Sequence, residues 1–104
     1  MRIIGGKYKG RRIVPYKGFK ARPTTDFARE SLFNILNNRV DFEEIIVLDL
    51  FSGTGSISYE FASRGTREVH LVEKDLGHIA GIRRIIKEIG FDNIKAIHID
   101  MRAF

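Results

Sequence analysis

The run Ile45-Ile46-Val47-Leu48-Asp49-Leu50-Phe51-Ser52-Gly53-Thr54-Gly55 restricts the possible folds of this chain more than any other stretch. A short apolar segment rich in Ile and Val reads as a strand buried on both faces, as in a parallel sheet. Gly53 and Gly55 then let the backbone turn tightly and approach a ligand, and the residues after them have helical spacing. A nucleotide-type site at the carboxyl end of a strand is therefore expected.

The downstream sequence repeats the alternation. Ile57 and Phe61 share one helical face, and Gly65 supplies a stop. Glu68–Glu73 is a second strand. Ile79, Ile82, Ile86 and Ile89 form a stripe on a second helix that Gly90 ends, with Gly77 and Gly81 suggesting close packing inside it. Ile94–Asp100 is a third strand. Strand–helix–strand–helix–strand implies right-handed crossovers and a parallel α/β sheet ordered 3-2-1.

Upstream, Arg22-Pro23-Thr24-Thr25-Asp26 has the chemistry of a helix start, with a fixed entry, a threonine cap and an acid in the first turn. Ala28, Leu32, Ile35 and Leu36 follow at helical spacing beside Phe33, and Asn37-Asn38 end the helix. Residues 2–14 read as two β-branched runs around glycines, hence a small hairpin with Lys7, Tyr8, Lys9 and Arg11 near its tip.

Charge is distributed unevenly. The net charge is +5, yet residues 1–22 hold eight Lys/Arg and no acid, so the remainder sets ten bases against all thirteen acids. A basic arm over residues 1–22 joined to a domain over residues 23–104 is expected, with a polyanion at the arm. Arg2, Lys7, Lys9, Arg11, Arg12 and Arg22 would meet phosphates, and Tyr8 would stack on exposed bases unless it covers a small core. No apolar run is long enough to span a bilayer, so no membrane association is expected. The absence of cysteine excludes disulfides and thiolate metal sites, which makes a reducing cytoplasm the default and leaves no metal expected.

Three expected strand ends share one sheet edge, and each carries an acid: Asp49, Glu73 and Asp100. Glu73 follows Gly53 at the spacing of an acid that accepts both ribose hydroxyls. Asp49 can orient the glycine turn or receive an ammonium group, and Asp100 can accept from an adenine amine. Ser58 stands where a dinucleotide fingerprint has its third glycine, which counts against NAD. S-adenosylmethionine, with an ammonium, a sulfonium and no phosphate, suits an acidic cradle better.

These residues also resemble a known family, the RsmD-type methyltransferases, over essentially the whole chain. Met1-Arg2-Ile3-Ile4-Gly5-Gly6-Lys7-Tyr8-Lys9-Gly10-Arg11 is similar to that family's N-terminal hairpin. Arg22-Pro23-Thr24-Thr25-Asp26 with Arg29-Glu30-Ser31-Leu32-Phe33-Asn34 is similar to its lead-in helix. Leu48–Gly55 resembles its cofactor loop, and Val72-Glu73-Lys74-Asp75 its ribose-binding segment. The resemblance implies a Rossmann-like class I fold and transfer of a methyl group from S-adenosylmethionine to a guanine N2 of small-subunit ribosomal RNA. It implies a cofactor set of Asp49, Phe51, Gly53, Gly55, Glu73, Lys74, Asp100 and Met101, with Thr25 at the methionine carboxylate or the target-base mouth. Ribosomal RNA or the small subunit is the implied partner.

One part of the family pattern is missing. Its Asn/Asp-Pro-Pro-Tyr/Phe tetrapeptide needs adjacent prolines, and this chain has only Pro15 and Pro23. No catalytic residue is therefore assigned, and the 104 residues by themselves are expected to be inactive. The strand over residues 45–50 is apolar on both faces, as in mid-sheet, yet the order 3-2-1 puts it at an edge. Such an edge invites pairing with another chain. The expectation is half of a methyltransferase domain whose full protein is a monomer, with self-association of the half through this strand. Two rivals remain: a non-catalytic RNA-binding module and a fragment of an NAD-dependent enzyme.

Overall fold

The computed structural model describes residues 1–14, 25–50 and 54–99. Three parallel strands, β1 (Ile46–Leu50), β2 (Glu68–Glu73) and β3 (Ile94–His98), form one sheet with β2 in the middle. The register pairs Asp49 with Leu71 and Glu73 with His98. The helices are α1 (Asp26–Leu36), α2 (Ser56–Ser63) and α3 (Leu76–Ile89). The architecture is the open parallel α/β half-sheet that the strand–helix alternation implies.

Local chemistry sets the helix ends. Thr25 caps α1, its Oγ1 accepting from the Ala28 amide at 3.1 Å. Asp75 caps α3 in the same way, accepting from the His78 amide at 2.9 Å, and Gly90 closes it at φ +91°. The third strand ends at His98, short of its expected limit at Asp100, which lies outside the described residues.

Side-chain packing departs from the periodicity in two helices. In α1 the buried residues are Arg29 and Phe33, while Leu32 and Ile35 of the expected stripe stay exposed. Phe33 is drawn inward by an aromatic cluster, with ring centroids 4.7 Å from Phe61 and 6.1 Å from Phe42. In α2 the buried set includes Ser58, Tyr59, Glu60, Ala62 and Ser63 rather than an Ile57–Phe61 face. A second layer on the outside of the helix explains this. In α3 the expected stripe is met in part: Ile79 and Ile82 are inside, Ile85 takes the next core position, and Ile86 and Ile89 pack at the margin.

That outer layer is the N-terminal hairpin. Arg2 bridges Arg12, with Ile3 N–H donating to Arg11 C=O at 3.0 Å and Ile13 N–H to Met1 C=O at 3.0 Å. Residues 1–14 of the expected arm pack onto the body, with Ile3 and Ile13 buried in one core with Tyr59, Leu71, Ile79 and Ile85. Glu60 of α2 accepts from the amides of Ile4 and Gly5 at 2.8 and 3.0 Å. Ser63 Oγ donates to Gly5 C=O at 2.7 Å and accepts from the Tyr8 amide at 3.0 Å. Gly6, at φ +82°, lies so close to α2 that a Cβ would stand 2.0 Å from Ser63 C=O. Composition marked the segment as basic and detachable because charge is visible in sequence and docking is not.

The sheet is covered on one face. On the other, Ile46, Leu48 and Leu50 of β1 are 57%, 62% and 60% exposed. Among the described residues β1 is an edge strand, as the order 3-2-1 requires.

Candidate cofactor and RNA site

Two of the expected acids come together at the carboxyl edge of the sheet. Asp49 pairs in register with Leu71, two residues before Glu73, so both acids point to the helix-covered face. Ser58 Oγ, fully buried, donates to Asp49 Oδ2 at 2.6 Å. Burial raises the Asp49 carboxyl above the ordinary carboxylate range; the Ser58 hydrogen bond opposes this and the negative Glu73 reinforces it. Ser58 is thus more than a departure from a dinucleotide fingerprint, because its hydroxyl orients the acid below the glycine turn. Only a small side chain with a donor at this spacing signals that role in sequence.

Glu73 is 3% exposed. Its Oε2 accepts from the Asp75 amide at 2.9 Å, and Oε1 lies 3.7 Å from His78 Nδ1. The carboxylate is held by the turn that follows its own strand. Lys74 is exposed and contributes its carbonyl to His98 Nε2 at 3.0 Å, a tie between β2 and β3 not anticipated from sequence.

Gly55 has φ +82°, and a Cβ there would stand 2.8 Å from Tyr59 Cζ, so the turn requires glycine twice over. Tyr59 stacks on Phe91 at 5.8 Å and 5°, and its buried hydroxyl has no hydrogen-bond partner among the described residues. Phe51, Gly53, Asp100 and Met101 lie outside the described residues. Thr25 lies apart from the two acids in role: its hydroxyl oxygen is committed to capping α1.

The expected RNA-contacting residues divide into two groups. Arg2, Lys9, Arg11 and Arg12 are exposed on the docked hairpin, and Arg22 lies outside the described residues. Tyr8 is not a free stacking platform. Its ring meets Phe91 edge-on at 4.9 Å and 74°, its hydroxyl donates to Gly90 C=O at 3.3 Å, and Lys7 Nζ lies 5.4 Å from the ring centre. The ring closes the lower end of the core, the alternative that sequence left open.

A polar network missed in sequence holds the hairpin in place. Fully buried Arg29 donates to Arg2 C=O at 2.7 Å, hydrogen-bonds Asp26 and lies 3.9 Å from Glu60. Arg64 Nε donates to the other Glu60 oxygen at 2.9 Å. Burial pushes the Asp26 carboxyl upward, but its hydrogen bond and ion pair with Arg29 outweigh this and hold it below the usual range. Nothing local in sequence announces a buried Arg–Glu pair, since its members are 31 residues apart.

No group of metal-ligating side chains occurs among the described residues, and none of their helices is long and apolar enough to cross a membrane.

Residues 1–103 match the family described as Conserved hypothetical protein 95. The Escherichia coli (strain K12) ribosomal RNA small subunit methyltransferase D is 39% identical over 75 residues, 72% of this chain and 37% of that protein. The protein of the same name from Buchnera aphidicola subsp. Baizongia pistaciae is 33% identical, over 93% of this chain and 49% of its own length. Among solved structures, a hypothetical protein of Thermus thermophilus superposes with a TM-score of 0.83 at 30% identity, covering 100% of this chain and 58% of that one. The chain spans about half the length of the curated relatives it matches. The fold, the placed acids and these similarities agree: the chain belongs to the Conserved hypothetical protein 95 family, that of the RsmD-type methyltransferases.

Proposed function

We propose that this chain is the cofactor-binding half of an S-adenosylmethionine-dependent methyltransferase that modifies a guanine N2 of small-subunit ribosomal RNA. The observation that carries the reading is a pair of carboxylates, half-buried Asp49 and buried Glu73, on one sheet edge beside a glycine turn at φ +82°. The donor set fits the cofactor. An ionised Asp49 oriented by Ser58 suits an ammonium, and Glu73, preset by the Asp75 amide, suits paired ribose hydroxyls. Asp49, placed just before the glycine turn, disfavours the pyrophosphate of a dinucleotide, which counts against the NAD reading. When bound, S-adenosylmethionine supplies an electrophilic methyl group on sulfur. This chain's own residues orient and desolvate its ends, and the amine acceptors belong to a tetrapeptide that these residues do not contain.

The relatives named as ribosomal RNA methyltransferases support RNA as the substrate class, and the exposed arginines of the hairpin supply a surface for it. A reducing cytoplasm, where ribosomal RNA is processed, suits a chain without cysteine. The bare apolar row of β1 supports self-association of this chain alone.

Calorimetric titration with S-adenosylmethionine tests the cofactor assignment. Binding with loss of affinity in Glu73→Ala is expected, and equal affinity of the variant removes the ribose role. In a protein that carries this segment together with the tetrapeptide, nucleoside mass spectrometry of treated ribosomal RNA should show N2-methylguanosine. A different methylated nucleoside would displace the N2 assignment and leave the cofactor reading intact.

A further inference from the structure

The hairpin carries its cations on two sides, and only one of them leads to the cofactor edge. Its tip is fixed at the wrong end: the Lys7 amide donates to Ser63 C=O and Tyr8 contacts Gly90 and Phe91. Ser63 ends α2 and Gly90 ends α3, and both helices start at the edge that holds Asp49 and Glu73. The tip therefore lies at the remote end of the sheet.

The open end of the hairpin lies the other way. Helix α1 runs in the same direction as α2, since Arg29 meets Glu60 while Phe33 meets Phe61 and Arg64 one turn further on. The first turn of α1 is accordingly directed toward the cofactor edge. There, a groove of about 340 Å³ is lined by Met1, Arg2, Arg12 and Asp26. A second groove, about 140 Å³, runs between the hairpin and α3, with Arg11, Arg12 and Arg84 on its walls and Val14, Ile85 and Ile89 among its apolar lining. Arg12 borders both grooves, which makes Arg2, Arg12 and Arg84 one continuous track.

Charge along this track is poorly compensated. Arg2 and Arg12 stand directly opposite each other across the bridge, where like charges destabilise a strand pair. Asp26 is engaged by Arg29. Glu88 lies 3.7 Å from Arg84 in an exposed pair, which contributes little and yields readily to a polyanion. Guanidinium groups above an apolar floor suit a nucleic-acid strand, with phosphates on the arginines and sugar or base faces on exposed Val14.

We infer that RNA lies along the Arg2–Arg12–Arg84 track, crossing from the flank of α3 over the open end of the hairpin, and that the tip residues Lys7 and Tyr8 take no part. This rests on the reading of RNA as the substrate class.

The test titrates the 104-residue chain with a fluorescein-labelled stem-loop RNA across a salt series, and measures S-adenosylmethionine affinity on the same samples. The variants are Arg12→Gln with Arg84→Gln, Arg84→Gln alone, and Lys7→Gln. In the double variant, RNA affinity should fall about tenfold or more, and the slope of log K on log salt should flatten by about 1.4–1.8. Arg84→Gln alone should flatten it by about half that amount. Lys7→Gln should leave the slope unchanged, and all variants should keep wild-type cofactor affinity and thermal midpoint. A loss in the double variant with Arg84→Gln alone silent, or an equal loss in Lys7→Gln, overturns the track. Competition by polyglutamate as effective as by unlabelled RNA would assign the surface to acidic protein instead. No RNA binding by the wild type would remove both the track and the RNA reading, while the parallel cofactor titration reports separately on the enzyme half.

Discussion

Two carboxylates drawn out of water in this molecule look alike in sequence and differ in how they are satisfied. Glu60, at the junction of hairpin, α1 and α2, accepts from two backbone amides and from Arg64, with Arg29 beyond. Asp49, at the strand end, accepts the Ser58 hydroxyl and faces a second negative charge on Glu73. A buried charge with several donors is scaffold, because removing it orphans its partners. A half-buried charge with a hydroxyl donor and a like-charged neighbour is costly in the free protein and gains most from a cationic ligand. The set of donors, more than the depth of burial, separates the two.

The contrast is most exposed to failure at Glu60. Glu60→Ala leaves the Ile4 and Gly5 amides without their acceptor and takes one of two carboxylates from buried Arg29, and should cost about 3–5 kcal/mol in urea unfolding. With native domains stable by only about 5–15 kcal/mol, that change should bring the chain close to unfolding. A loss below about 1 kcal/mol would show that Glu60 is no clamp.

At the ligand edge the effects should fall on affinity instead. Glu73→Ala should weaken S-adenosylmethionine binding by roughly ten- to a hundredfold, the worth of hydrogen bonds to a charged group, with the fold intact by circular dichroism. Asp49→Asn should weaken binding too, yet raise the thermal midpoint by an amount worth about 0.5–1 kcal/mol, because it removes a poorly compensated charge. Equal or lower stability in Asp49→Asn would place Asp49 with the scaffold.

The signs of the pH effects differ between the sites. The raised Asp49 carboxyl binds its proton more tightly folded than unfolded, so its stability penalty is present above the folded value and vanishes as pH falls through the unfolded one. Its ligand affinity should fade on acidification at a higher pH than an ordinary aspartate would dictate. Asp26, held low by Arg29, does the reverse: its stabilisation is present above the unfolded value and lost as pH falls through the folded one. Acid unfolding of Asp26→Asn should accordingly start from a less stable protein and show a shallower acid limb.

The smallest effect is expected at Tyr59. Its hydroxyl is buried without a partner among the described residues, and burial raises its ionisation far above the usual phenol range. Tyr59→Phe should be neutral or stabilising by up to about 1 kcal/mol, read in the same urea titration. Destabilisation beyond that would reveal a hydrogen bond that the free chain conceals.

Much of the skeleton was legible because it is written in short-range chemistry. Thr25 and Asp75 cap helices by bonding amides three residues on, and Gly90 ends α3 by adopting a conformation other residues resist. The alternation of Ile-rich strands with helical stripes implied the parallel order β1-β2-β3. The positions of Asp49 and Glu73 followed from the same logic, since parallel strands bring their carboxyl ends to one edge.

The hairpin shows where such reading stops. Its glycines and β-branched residues predicted the turn, but Ile4 and Glu60 are 56 residues apart, and Tyr8 and Gly90 are 82 apart. Nothing in a local window distinguishes a basic segment that reaches into solvent from one whose amides are taken up by a distant glutamate. By itself the sequence determined the elements, their order and the acidic edge, because those depend on spacing within a few residues. Only the tertiary structure decided that the hairpin of residues 1–14 is a wall of the core, that Tyr8 faces Phe91, and that Ser58 orients Asp49. Those outcomes depend on which buried polar groups find partners once the chain has closed on itself.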